Sequence, residues 1–203
     1  MIFDLFSELQ APAPWVPDHE HRVFAHAREQ AELADQLGYG CWWSVEHHCA
    51  PEFSYSSAPE LVNTAISQRT ERLRVGHAGV LSPFKINHPL RVAERAAVLD
   101  HLSNGRVELG LARSGGAEWA TFGIDPDGTL AELEESARLM VTAWTEPEFT
   151  WESERLSIPT RTLVPKPVQQ PHPPLWQTVS SPASFRLAGE LGLGILCTTL
   201  LSP

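Results

Sequence analysis

The sequence predicts an α/β protein built on a parallel sheet. Short apolar runs and amphipathic stretches alternate along all 203 residues. Alternation repeated this often is the pattern of parallel strands joined by crossover helices. Two closures satisfy it, an open doubly wound sheet or a barrel. No Gly-x-Gly-x-x-Gly turn follows the first strand, which weakens the dinucleotide-binding form of the open sheet. A barrel of eight strand-helix units typically needs about 250 residues. Only six strand-like runs are present, so a barrel reading expects the last quarter to be missing.

Taken in order, Ile2–Phe6 is the first predicted strand, and Pro12, Pro14 and Pro17 mark the loop after it. A helix over His19–Leu37 follows, with Phe24, Ala27, Ala31 and Ala34 at helical spacing and Gly38 as its stop. Trp42–Val45 is the second strand. Ser57-Ala58-Pro59-Glu60 reads as a capping box with proline just inside the helix start. Its helix, Ala58–Arg69, places Ala58, Leu61, Val62, Ala65 and Ile66 on one face. Leu73–Leu81 is the third strand, and Pro89 opens a helix through Leu102 that Asn104-Gly105 ends. Val107–Ala112 is the fourth strand, followed by Arg113-Ser114-Gly115-Gly116, and Thr129–Trp144 is helical. The segment Glu148–Gln170 breaks the rhythm as a hairpin-like excursion, with Phe149-Thr150-Trp151 and Leu156-Ser157-Ile158 as its arms. Pro174–Thr178 is the fifth strand, Ser181-Pro182 starts a helix to Leu191, and Gly194–Thr199 is the sixth strand. All of it, residues 1–203, reads as one domain.

Composition narrows the partners. Fifteen Lys+Arg against 25 Asp+Glu leave a formal net charge of −10, with no basic run. Nucleic acid and anionic membranes are therefore poor candidates. The stretch Met1–Ser7 lacks a basic flank and is too short for a signal peptide or a membrane span. Cys41, Cys49 and Cys197 are odd in number and widely spaced, which suggests neither a disulfide framework nor a zinc knuckle. A reducing cytoplasm is the simplest location.

The chemistry gathers at Gly40-Cys41-Trp42-Trp43-Ser44-Val45-Glu46-His47-His48, an apolar strand ending in a carboxylate and two imidazoles. Strand ends of parallel sheets are where α/β proteins bind ligands. The stretch fits a metal site, joined by His77 or His88 in a barrel hydrolase, or an organic site with an imidazole as acid and base. Adjacent strand residues point to opposite faces, which counts against convergence of Glu46, His47 and His48 on one ion. An anion site is also expected. Thr178-Val179-Ser180-Ser181-Pro182-Ala183-Ser184 offers free amides ahead of a helix, with the Ser184 hydroxyl in its first turn. Arg113, beside two glycines, adds a fixed guanidinium fork. Cys41 and Cys49 read as small buried hydrophobes.

Four segments in register carry a resemblance: Trp43–His48, Leu73–Leu81, His88-Pro89-Leu90-Arg91 and Leu99–Arg106. Together they resemble the bacterial luciferase-like flavin monooxygenase family, and the Glu-His-His version is more similar to its FMN branch than to its deazaflavin branch. The resemblance implies a β/α (TIM-type) barrel, here with about six of eight units. It implies that His47 is the catalytic histidine near the reactive edge of the flavin, with His48 in support and Glu46 as a hydrogen-bonding strand-end residue. Ala78-Gly79 matches the small pair where the family often has a non-proline cis peptide beneath the isoalloxazine. The FMN phosphate falls on Arg113, Val179, Ser180, Ser181 and Ser184. Two departures stand out: Ser180-Ser181 replaces an acidic residue followed by serine, and Ala112 replaces a reactive cysteine of some luciferase subunits. The implied activity is oxidation of a small, largely apolar aldehyde or ketone by O2 and reduced FMN delivered by a separate flavin reductase. The alternatives are a shortened, non-catalytic flavin-binding protein, or a piece of a longer enzyme whose barrel a partner completes. A homodimer is expected through the helices at Ala58–Arg69 and Pro89–Leu102.

Overall fold

The computed structural model describes residues 1–197. In chain order its elements are β1 (Leu5–Ser7), α1 (His19–Leu37), β2 (Cys41–Ser44), α2 (Pro59–Ser67), β3 (Arg74–Leu81), α3 (Pro89–Leu102), β4 (Val107–Ala112), α4 (Gly116–Phe122), α5 (Thr129–Thr145), β5 (Phe149–Glu152), β6 (Ser157–Arg161), β7 (Leu175–Thr178), α6 (Pro182–Leu191) and β8 (Gly194–Leu196). Six strands form one parallel sheet in the order β1-β2-β3-β4-β7-β8, curled into a half-barrel with helices packed on it. The expected excursion is there: β5 and β6 form a separate antiparallel pair. Among the described residues no helix is long and apolar enough to cross a membrane.

The helical side of the sheet is sealed by apolar packing. Ala93, Ala97, Leu133, Met140 and Ala143 from α3 and α5 meet Val80, Leu109 and Leu111 from the strands, all buried. The hollow side is filled by two indoles, Trp43 and Trp176, packed edge to face at 5.4 Å. Each has a polar anchor: Trp43 Nε1 donates to Asp4 (3.0 Å) and Trp176 Nε1 to Glu108 (2.6 Å). Buried Trp N–H groups ordinarily find such a partner.

Several expectations are corrected. The first strand lies at Leu5–Ser7, not Ile2–Phe6, because those three residues pair with Trp42, Trp43 and Ser44 while Ile2 and Phe3 are exposed. The second strand ends at Ser44, one residue early. No Ser57–Glu60 capping box forms: α2 begins after Ala58 without a side-chain cap, and Glu60 is drawn instead to Arg95 at 3.3 Å. The helix α4 was not expected at all. Cys41 is buried, with burial pushing its thiol up, whereas Cys49 is exposed and so is no small buried hydrophobe. The sixth strand spans Gly194–Leu196 and ends before Cys197, and the last two residues of its expected run, Thr198 and Thr199, lie outside the described residues.

Candidate active site

Parallel strands deliver their carboxyl ends to one rim. Val45, Glu46 and His47 follow β2; Ala78, Gly79 and Leu81 belong to β3; Ala112, Arg113 and Ser114 end β4; Thr178, Val179 and Ser180 end β7. All of them, with Ser184 from α6, line a single cavity of about 480 Å³. Of the residues singled out in the sequence, His47, Ala78, Gly79, Arg113, Val179, Ser180 and Ser184 therefore meet there, whereas His48 and Ser181 are not among its lining residues. The Ala78–Gly79 peptide is cis. Gly79 is also the residue that lets β3 press on β4, since a Cβ there would stand 2.9 Å from the backbone of Gly110 and Leu111.

The strand has ended by Ser44, and the two imidazoles that follow take different partners. His47 turns toward the cavity, where Nδ1 lies 3.0 Å from Glu118 Oε1 and Nε2 lies 3.7 Å from Glu8 Oε2. Its ring packs edge to face on Phe53 at 4.8 Å. His48 turns away and bonds Glu46 Oε1 at 3.1 Å. Glu46 also accepts the Asn87 amide (2.8 Å) and the Leu81 N–H (3.0 Å), while His77 Nε2 approaches at 3.2 Å without the alignment of a hydrogen bond. Burial works against ionisation of Glu46, but these partners outweigh it and hold the carboxyl well below the usual range. The bond to Glu46 in turn raises His48. Glu46 is thus a strand-end anchor, and His48 belongs to that anchor. Among the described residues no group of three or more His, Cys, Asp or Glu side chains could hold a metal ion.

The anion end differs from expectation. Ser181 and Ser184 form a reciprocal capping box on α6. The Ser184 hydroxyl accepts the amides of Ser180 (3.2 Å) and Ser181 (3.0 Å) and donates to the Ser181 carbonyl (2.8 Å). The amides of Ser180, Ser181 and Ser184, expected to be free, are therefore engaged inside the turn, because a serine at the third helical position satisfies orphan N–H groups. Arg113 is braced by Nε to Thr129 Oγ1 (2.9 Å) and Nη2 to the Pro126 carbonyl (3.2 Å). The brace orients the fork, and Nη1 makes no hydrogen bond among the described residues.

Two carboxylates escaped the sequence reading. Glu118, on α4, is buried; hydrogen bonds from His47 and the His48 N–H outweigh its burial and keep its carboxyl below the usual range. Glu8, just past β1, has its carboxyl pushed up by burial, partly offset by His47. Neither sits in a local pattern that marks it. Helix α4 has seven residues between glycines, too short for periodicity to show.

Residues 5–203 match the sequence profile of the luciferase-like monooxygenases. The chain belongs to that family. Among curated relatives, it is 29% identical over 203 residues to the oxygenase component of the flavin-dependent trigonelline monooxygenase of Acinetobacter baylyi, covering 98% of this chain and 55% of the relative. It is 31% identical over 194 residues to limonene 1,2-monooxygenase of Rhodococcus erythropolis, covering 94% of this chain and 49% of that one. The chain thus spans about half the length of the curated relatives it matches. Among solved structures, monooxygenase RslO1 from Streptomyces bottropensis superposes on it with a TM-score of 0.89 at 29% identity, covering 100% of this chain and 61% of the other. The FMN complex of the oxygenating constituent of 3,6-diketocamphane monooxygenase from Pseudomonas putida shares the fold, with a TM-score of 0.83 at 20% identity over 97% of this chain and 57% of that one.

Proposed function

We propose that the cavity is the flavin site of a flavin-dependent monooxygenase that uses FMN and oxidises a small, largely apolar aldehyde or ketone. The observation that carries this reading is the convergence of His47, the Ala78–Gly79 backbone, Arg113 and the Ser180–Ser184 turn on one cavity of about 480 Å³. That volume lies within the range of roughly 300–1,000 Å³ for cofactor and small-molecule sites. The donor set fits the group as well. Ser114 Oγ is a buried hydroxyl without a partner, and it lines the same cavity as Arg113. A ligand that accepts hydrogen bonds would complete both.

Arg113 and Ser180 would hold the phosphate, with Val179, Ser181 and Ser184 shaping the turn, since the Ser184 donors are spent on Ser181. Reduced FMN, when bound, supplies the electrons that activate O2. Phe6, Val45, Phe53 and Leu81 line the cavity with apolar surface, which excludes water and suits an apolar substrate. His47 presents Nε2 for proton exchange with the substrate. His48 supports it indirectly, through the Glu46 anchor. A separate flavin reductase supplies the reduced cofactor, in keeping with a relative named as an oxygenase component. The protein acts in the cytoplasm as a homodimer that buries the exposed Leu61 of α2 and Val98 and Leu102 of α3.

The test is an FMN titration of the full chain and of Arg113→Ala, followed by flavin fluorescence. Saturable micromolar binding that Arg113→Ala weakens about 10–100-fold, the worth of a charge-assisted contact, is the expected result. A folded chain that binds no FMN overturns the reading. NADH consumption with a reductase, in the presence of an aldehyde or a ketone, then tests turnover.

A further inference from the structure

His47 stands between two carboxylates that come from distant parts of the chain. Glu118 Oε1 is 3.0 Å from Nδ1, and Glu8 Oε2 is 3.7 Å from Nε2. Glu118 is almost fully enclosed, its side chain only 5% exposed. It also accepts the His48 backbone N–H at 3.4 Å, so it acts as an acceptor on both sides. An ionised carboxylate can only accept, and a neutral imidazole carries one N–H and one lone pair. Nδ1 must then be the donor, and the lone pair is left on Nε2. The hydrogen bond made at one ring nitrogen decides the state of the other.

Glu8 completes the arrangement. Its Oε2 is buried and has no hydrogen-bond partner, although the carboxyl lines the same cavity as His47. At 3.7 Å the gap to Nε2 is too long for a direct hydrogen bond. One bridging water, or a small shift of either side chain, closes it for a proton to pass.

We propose that Glu118 is a positioning residue that fixes His47 in its Nδ1–H form, and that Glu8 is the proton partner of Nε2 at the cavity wall. The step is a proton transfer alone. The proton leaves the Glu8 carboxyl and arrives on Nε2, so that a neutral pair becomes a carboxylate and an imidazolium with no change in total charge. Other charged groups near the pair are few. Arg113 and Glu46 line the same cavity, and His26 of α1 shares a second hollow with Glu8. This assignment deepens the flavin-site reading of the same cavity, but it concerns the chain without cofactor and can be tested there.

The experiment is long-range proton–nitrogen NMR on the full chain with 15N-labelled histidine, without flavin, with His47→Gln used to assign the signal. His47 is expected in the Nδ1–H form. In Glu118→Ala the proton should move largely to Nε2, the form an unheld imidazole favours, and Glu118→Asp should restore much of the original signal. His48, held by Glu46, should not change. A wild-type His47 with its proton on Nε2 overturns the proposal even if Glu118→Ala fails to fold, and so does a signal that ignores the substitution. With 13C-labelled glutamate, the Glu8 carboxyl should titrate at a higher pH in His47→Gln than in the wild type, because the imidazole that favours its charged form is gone. An unchanged Glu8 titration removes Glu8 from the proposal. Failure of FMN binding would leave these signals untouched, so the two readings fail separately.

Discussion

Gly76 of β3 lies opposite Trp43 of β2, and a side chain at 76 would overlap the Trp43 indole. The ring cannot easily give way. Its Nε1 is tied to Asp4 and its edge rests on Trp176. Gly194 stands in the same relation to Trp176. Each glycine makes room for an indole inside the curled sheet. Gly76→Ala should therefore lower stability by about 1–3 kcal/mol, the usual penalty of overpacking. Urea unfolding measures it, with Gly116→Ala as the control, since a Cβ at 116 meets nothing within 4 Å. Equal midpoints for the two variants would refute the packing argument.

The Glu46–His48 pair predicts a pH window. The folded Glu46 carboxyl lies below its unfolded value, so its contribution is present above about pH 4.3 and is lost as pH falls through the folded value. His48 is raised, so its contribution is present below about pH 6.5 and is lost as pH rises through its folded value. Both hold together between roughly pH 4.5 and 6.5. Glu46→Gln should cost on the order of 3 kcal/mol there, as breaking a buried pair does. The gap to wild type should narrow toward pH 9. Denaturant melts at pH 5.5 and 9 decide, and a gap of constant size would contradict the pairing.

Ser184 holds the α6 cap from the inside. Ser184→Ala leaves the Ser180 and Ser181 amides without their acceptor and should cost about 1–2 kcal/mol. Thermal melts of the full chain check this. Ser184→Thr keeps the hydroxyl and should recover part of the loss unless its extra methyl is excluded from a site only 2% exposed.

Asp100 ties the excursion back to the half-barrel. Fully buried on α3, it accepts the Gln169 backbone N–H (2.8 Å) and side-chain amide (2.7 Å). Asp100→Ala should cost roughly 2–3 kcal/mol by leaving buried donors unpaired. Limited proteolysis should then cut near Gln169 first. A cleavage pattern identical to wild type would show that the segment is held by other contacts.

Much of the architecture was legible in the sequence because its signals are local. The 3.6-residue spacing in His19–Leu37 and Thr129–Thr145, and the proline at the start of Pro89–Leu102, needed no knowledge of distant residues. The Ser57–Glu60 box did not form. The helix starts at Pro59 with Ala58 as its N-cap, so Ser57 misses the capping position, and Glu60 faces Arg95 from a distant helix. Of the serines ahead of α6, Ser180 lines the cavity and Ser181 does not, and the engagement of their amides depended on which way the Ser184 hydroxyl turned.

By itself the sequence determined the order of strands and helices apart from α4, the hairpin excursion and the strand that leads into Glu46-His47-His48. Those features follow from periodicity and turn chemistry within a few residues. The tertiary structure alone decided what each imidazole faces. His47 meets Glu118 across 71 residues of chain, and His48 meets Glu46 two residues away. The physical reason is the curl of the parallel sheet, which gathers strand ends from β1 to β7 around one cavity. A carboxylate there is chosen by proximity in space, which no spacing in the sequence encodes.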